Sequence, residues 1–313
     1  MEKIIIDIRK SRDIKEISLK NYLSSLKQLN KKINGTTEIK NLDFLKNYKQ
    51  IFNIIDDKKE TTQKNYLTSI IVALKAYPEK YKKIIDIYSK KLKTISEHYH
   101  QGLKNQQKTE TQKKNWMTYE ELLKVLESLK KKYNDNKTFN NLQKYLILLT
   151  YINHPLRNDY AEMKIIKYKD YKLKSKEEQQ KYNYLIIYSR NKYKFFINQF
   201  KNKERIGCRE ILITNKELIR VIKEWLKINK SGWFFVKKNK TTPQTPNSTT
   251  KFLNTIFKPY EKKISSSMIR HIIISNDTKN EPTIKELEDK EKKITNKYLH
   301  SSKMNKLYRK IEE

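Results

Sequence analysis

Cysteine is almost absent, with Cys208 standing alone in a chain of 313 residues. One cysteine excludes an internal disulfide and any cysteine-based zinc cluster, and beside Gly207 it reads as an incidental small residue. Glycine is scarce too, at four residues, so Gly207 is read as marking a turn before a strand. Long apolar runs are missing. The strongest, Tyr145 to Ile152, is far short of the roughly 20 residues a membrane span needs, and residues 1–13 lack a signal core and a cleavage site. Acidic residues are few, 35 against 70 Lys plus Arg, which leaves a formal charge of +35. An AT-rich genome explains abundant Lys, Asn, Ile and Tyr, but not a doubled ratio of base to acid. The excess points to a polyanionic partner, bound through counterion release and reached by electrostatic steering.

What is present suffices for folded cores: 36% apolar residues, with 21 Tyr and 10 Phe, in a length that predicts about two domains. Four stripes at three- and four-residue steps predict a helical bundle in the first hundred residues. They are Ile17, Tyr22, Leu23, Leu26 and Leu29; then Leu42, Leu45, Tyr48, Phe52 and Ile55; then Tyr66 to Leu74; then Tyr81 to Leu92. The periodicity stops over Gln101 to Lys114, which sets the organisation as residues 1–108 helical, 109–114 linker and 115–313 a second domain. Helix resumes where Thr118 and Glu121 form a capping box, and a more apolar helix covers about Phe139 to Tyr151 before Pro155. Strands are expected at Tyr184–Tyr188, Lys194–Ile197 and Glu210–Ile213, then a helix capped by Thr214 with Glu217, then helices to the end. No fixed-period repeat is present. The fold class expected is mainly α with a small β-sheet, a helical domain followed by a mixed α/β domain.

Arginine is rare among the 70 basic residues, at nine positions. A guanidinium grips two phosphate oxygens in a planar fork, which an ammonium cannot do, so each arginine kept in a lysine-saturated chain is informative. Arg157 follows an apolar helix at a proline break and Arg270 sits in an apolar helical segment, so both are expected to be partly buried. Asp159 leaves a local ion pair open as the structural alternative. His98 and His100 read as surface histidines. No Walker loop and no acidic triad of the kind a two-metal nuclease uses are evident.

Three segments carry a family resemblance. LILLTYINHPLRNDYAEMKI, from Leu146 to Ile165, resembles the first conserved box of the tyrosine recombinases (phage integrases): apolar helix, turn, arginine, nearby carboxylate, strand. SSSMIRHIIIS, Ser265 to Ser275, resembles the second, in which His-x-x-Arg precedes a His. YLHSSKMNKLYRKI, Tyr298 to Ile311, resembles the last, a His opening a helix whose Tyr comes about two turns later. The resemblance runs from Trp116 to Glu313, and the N-terminal helices fit the family's core-binding domain.

The resemblance implies a site-specific recombinase or integrase that cuts and rejoins DNA through a 3′-phosphotyrosyl intermediate. Tyr308 would be the nucleophile, Arg157 and Arg270 the clamp on the scissile phosphate, and His300 a further support of the phosphorane. Lys201, in FINQFKNKERIG, would be the general acid on a β-hairpin, with Lys192, Lys194 and Lys203 as rivals. Ser267 stands where the family usually has His, so the usual proton acceptor is replaced. Residues 276–293 read as an insertion or an added charged helix. The implied partners are double-stranded DNA and further copies of the chain, as a homotetramer on two DNA sites, with no membrane and no small-molecule substrate. No cofactor and no metal are implied, because a phosphotyrosyl bond conserves the phosphodiester energy. The composition suits a virus or mobile element that integrates its genome, and a soluble intracellular protein, in host nucleus or cytoplasm wherever its target DNA lies. The alternatives are a type IB topoisomerase-like enzyme, a catalytically decayed DNA-binding relative, and an unrelated helical nucleic-acid-binding protein.

Overall fold

The computed structural model describes residues 2–298, which divide into two compact units. The first runs to Gln107 and consists of α1 (Glu2–Ser11), α2 (Glu16–Asn34), α3 (Tyr48–Ile55), α4 (Glu60–Leu74) and α5 (Pro78–Lys104). Its core is formed where the stripes meet: Leu19, Leu26 and Leu29 of α2, Ile51 and Ile55 of α3, Leu67, Ile70 and Leu74 of α4, and Tyr88 of α5 are buried. The second stripe is not one helix. Asn47 interrupts it, closing a 3-10 turn (Asp43–Lys46) and capping α3 by accepting the Gln50 N–H at 3.4 Å. Ile17, expected in the core, is 71% exposed. It lies in the first turn of α2, where the buried face begins only at Leu19.

The second unit spans Lys108–Glu281. Over the expected linker, α6 (Glu110–Asn115) forms because Thr109 and Gln112 cap each other reciprocally, which orders the segment locally without an apolar period. Thr118 and Glu121 do the same for α7 (Tyr119–Asp135). α8 (Phe139–Asn153) is buried over nearly all of Leu142 to Tyr151, as its apolar composition demands. Then come β1 (Lys164–Lys167), α9 (Tyr168–Lys172), α10 (Lys176–Lys181), β2 (Tyr184–Ser189), β3 (Lys192–Ile197), α11 (Lys203–Ile206) and β4 (Arg209–Leu212).

The strands form one sheet in the order β1-β2-β3-β4, with β1 parallel to β2 and the other pairs antiparallel. Side chains alternate across it. Leu185, Tyr193, Phe195 and Ile197 enter the main core, while Tyr184, Ile186 and Phe196 pack with Tyr171 of α9 on the opposite face. Gly207 closes α11 at φ +75°, in the region that favours glycine, and turns the chain into β4.

The unit is completed by α12 (Lys216–Ile228), α13 (Pro246–Phe257) and α14 (Ser266–Asp277). The cap of α12 is Asn215, which accepts the Leu218 N–H at 2.8 Å, and not Thr214. The shift frees Glu217 to accept from the Arg220 guanidinium and the Tyr145 hydroxyl. Beyond this unit, α15 (Ile284–Tyr298) groups with the N-terminal helices. The Lys104–Glu288 ion pair, 2.7 Å, and the Ile284 N–H to Gln106 Oε1 bond, 2.8 Å, hold it there. The chain is therefore mainly α with a small mixed sheet. Among the described residues no helix is long and apolar enough to cross a membrane.

Candidate functional site

The site is built on a break. Pro155 disfavours helix at His154, α8 ends at Asn153, and the chain turns through residues 154–157 into a 3-10 turn, Asn158–Tyr160. Tyr160 anchors the turn from below, its ring buried edge-on against Tyr151 and its hydroxyl donating to the His154 carbonyl at 2.8 Å. Burial pushes the His154 imidazole pKa down, favouring the neutral ring.

Arg157 is consequently exposed, not partly buried as expected, because the turn lifts it off the end of α8. Arg270 is half-buried on α14, whose Met268, Ile269, Ile272 and Ile273 face the core. The two arginines act on one carboxylate. Burial pushes the Asp159 pKa up, while the Arg157 backbone N–H and the Arg157 and Arg270 charges pull it back down. Asp159 spends an oxygen on the Arg157 backbone N–H at 3.1 Å. Among the described residues, neither guanidinium has a hydrogen-bonded or ion-paired partner. The local ion pair left open by the sequence is thus not formed, and among the described residues no carboxylate bonds either fork.

Two side-chain amides, Asn158 half-buried and Asn183 buried, assemble the surroundings. Asn158 accepts from Ser266 Oγ at 2.7 Å and donates to the Pro246 carbonyl at 3.2 Å and Thr250 Oγ1 at 3.3 Å, joining the Arg157 turn to the starts of α14 and α13. Asn183, 6% exposed, donates to the carbonyls of Asp159 at 2.7 Å and Gln199 at 2.9 Å. Its Oδ1 accepts the N–H groups of Asn198 at 2.8 Å and Gln199 at 2.7 Å. Every hydrogen-bonding position of that side chain is filled. Sequence reading missed both asparagines: Asn158 adjoins Arg157, but nothing local distinguishes Asn183.

Asn183 ties the Arg157 turn to the turn that carries Lys201, between the antiparallel neighbours β3 and β4. Lys201 is exposed and has no partner among the described residues. Its rivals are occupied: Lys194 pairs with Glu210 at 2.8 Å, Lys203 donates to Gln180 at 3.4 Å, and Lys192 lies 5.5 Å from the Tyr188 ring centre. The three serines that open α14 divide their work. Ser265 caps the helix by accepting the Met268 N–H, Ser266 bonds Asn158, and Ser267 is exposed. His271 is exposed beside Arg270. His300 and Tyr308 lie outside the described residues. Among the described residues no cluster of three or more His, Cys, Asp or Glu could hold a metal ion.

The Asn183 bridge carries a stability prediction. Asn183→Leu keeps the branching of the side chain but leaves two carbonyls and two N–H groups unpaired, and is expected to cost on the order of 3 kcal/mol in urea unfolding of the second unit. An unfolding midpoint equal to that of the parent would show that those groups find other partners.

No family model matches the chain, and no curated protein matches it either. Among solved structures, the crystal structure of XerA recombinase is similar at a TM-score of 0.35 and 12% identity, covering 91% of this chain and 87% of that one. A likeness of that size carries neither fold nor function, and the functional reading rests on the residues.

Proposed function

We propose that the chain cuts and rejoins double-stranded DNA through a 3′-phosphotyrosyl intermediate, as a site-specific recombinase. The observation that supports this most is the pair of guanidiniums, Arg157 and Arg270, which have no bonded partner among the described residues and whose charges both bear on Asp159, in a chain of charge +35. Two forks that no carboxylate bonds among the described residues fit the two non-bridging oxygens of one phosphate.

In the proposed reaction the Tyr308 Oη attacks phosphorus as its proton leaves, and the bond from phosphorus to the 5′-oxygen breaks. Lys201 delivers a proton to that oxygen, so the leaving group departs as a hydroxyl. Arg157, Arg270 and His300 stabilise the charge that builds on the phosphorane. Ser267 can donate a hydrogen bond to a phosphate oxygen but, unlike histidine, takes up no proton near neutral pH, so the tyrosine proton passes to solvent. A free 5′-hydroxyl reverses the sequence and reseals the strand. Exchange between two duplexes requires four such sites, hence a homotetramer on two DNA sites.

The role of Lys201 can be separated from its charge. A 5′-bridging phosphorothiolate leaves without a proton, so Lys201→Ala is expected to be severely slow on ordinary DNA and near normal on the sulfur substrate. Arg157→Ala should be slow on both, with Lys194→Ala and Lys203→Ala as controls. Sulfur rescue of a control variant in place of Lys201→Ala would move the proton donor to that lysine. Rescue of Arg157→Ala would count against the phosphate clamp itself.

A further inference from the structure

The two arginines reach the site on elements that are held in different ways. Arg157 follows the turn that leaves α8, whereas Arg270 is carried by α14. The face that α14 turns to the core is made by Met268, Ile269, Ile272 and Ile273. Apolar burial is non-directional, so it fixes which face of a helix is covered more firmly than the height or rotation of that helix. Two forks that grip one phosphate need a tighter constraint, because a misplacement of about 1 Å costs on the order of 10²-fold in rate.

Among the described residues, one hydrogen bond joins the 154–160 turn to α14. Ser266 Oγ donates to Asn158 Oδ1 at 2.7 Å. Asn158 adjoins Arg157 in the chain, and Ser266 stands four residues before Arg270, about one turn away on the same face of α14. Ser266 is 3% exposed, which keeps water from competing for the bond. Both ends are locked in place. Asn158 Nδ2 donates to the Pro246 carbonyl at 3.2 Å and to Thr250 Oγ1 at 3.3 Å. A carbonyl only accepts, so the amide cannot be flipped, and its Oδ1 is left to Ser266. Thr250 Oγ1 donates in turn to the Pro246 carbonyl at 3.2 Å, which spends its own hydrogen. At the other end Ser265 caps α14 by accepting the Met268 N–H, so the Ser266 hydroxyl is not drawn into capping.

We propose that Asn158 and Ser266 are a positioning pair that sets the separation of the Arg157 and Arg270 guanidiniums without touching the substrate. This rests on the phosphate-clamp reading of the two arginines. Without the bond the apolar face still holds α14 to the core, but the two forks no longer converge on one phosphate. The loss therefore falls on the chemical step, in which charge builds on the phosphorane, and not on DNA affinity, which the lysines supply.

Single-turnover DNA cleavage over a range of protein concentrations gives the first test. Ser266→Ala and Asn158→Ala are each expected to lower the saturating rate by about 10- to 100-fold and to leave the half-saturating concentration unchanged. Ser266→Thr, which keeps the hydroxyl, should recover most of the rate. The double variant should be no slower than the slower single, and in an Arg270→Ala background Ser266→Ala should add no more than about twofold, since both changes then act on one interaction. Asn229→Ala controls for stability and should cleave normally: it removes a buried amide of the same unit, beyond the end of α12, that donates to the Trp233 carbonyl at 2.7 Å. The second test needs no DNA. Titration with inorganic phosphate, followed through the arginine Nε–Hε resonances by NMR, should shift Arg157 and Arg270 together with one dissociation constant in the parent. In Ser266→Ala the two should shift independently, each about tenfold more weakly. A concerted phosphate shift in a parent that does not cleave DNA would remove the recombinase reading and leave the pair standing. Parent-like cleavage by Ser266→Ala, additive losses in the double variant, or a concerted phosphate shift that survives Ser266→Ala would overturn the proposal.

Discussion

Arg157→Lys and Arg270→Lys are each expected to slow DNA cleavage by about 10²- to 10³-fold while DNA affinity stays nearly unchanged, the magnitude typical of losing one prearranged donor to a developing negative charge. The charge survives the substitution and the fork does not. Asp159 sharpens the expectation, because both guanidinium charges bear on it while its bonded partner is the Arg157 backbone N–H, and neither fork has a bonded partner among the described residues. An ammonium in either place would keep the field at Asp159 and lose the bidentate contact. Arg190→Lys, at an exposed position between β2 and β3, is the matched control and should cleave normally. Single-turnover cleavage rates decide the matter: parent-like rates in either variant would make that arginine a structural residue.

Tyr308→Phe is expected to abolish the covalent protein–DNA adduct altogether, with binding retained. The change removes one hydroxyl and no charge, so the electrostatic part of DNA affinity, which comes from the lysines, is untouched. It also removes the only protein atom in the proposed chemistry that bonds to phosphorus. A gel-shift titration beside a denaturing gel separates the two effects. Adduct at the parent level from the Phe variant would exclude Tyr308 as nucleophile, and loss of binding together with adduct would mean that the residue shapes the fold.

Much of the architecture was legible because it is locally encoded. The Thr118–Glu121 box, the apolar run of α8 stopped by Pro155, and the short runs of β-branched and aromatic residues in β2 and β3 each carry their signal within a few residues. The failures occur where two local signals compete. Thr214 with Glu217 and Asn215 with Leu218 offer rival caps one residue apart, and the asparagine prevails while Glu217 turns to Arg220 and Tyr145. In the stripe from Leu42 to Ile55 the apolar spacing continues across Asn47, but the backbone does not. At Glu110–Asn115 a reciprocal cap makes a helix where hydropathy shows none.

For the candidate site, arginine rarity drew attention to Arg157 and Arg270, whose charges both bear on Asp159. Their supports were illegible. Asn183 bonds to residues 16 and 24 positions away, and Asn158 to Ser266 across 108. Hydrogen bonds over such separations leave no periodicity to read.

The most direct test of the central claim is to incubate the unsubstituted protein with a nicked suicide DNA duplex, digest the products, and map any nucleotide-bearing peptide by mass spectrometry. The account predicts a metal-independent adduct in which Tyr308 carries the 3′-phosphate of the cleaved strand. Strand cleavage with no covalent adduct, or an adduct on a residue other than Tyr308, would contradict it.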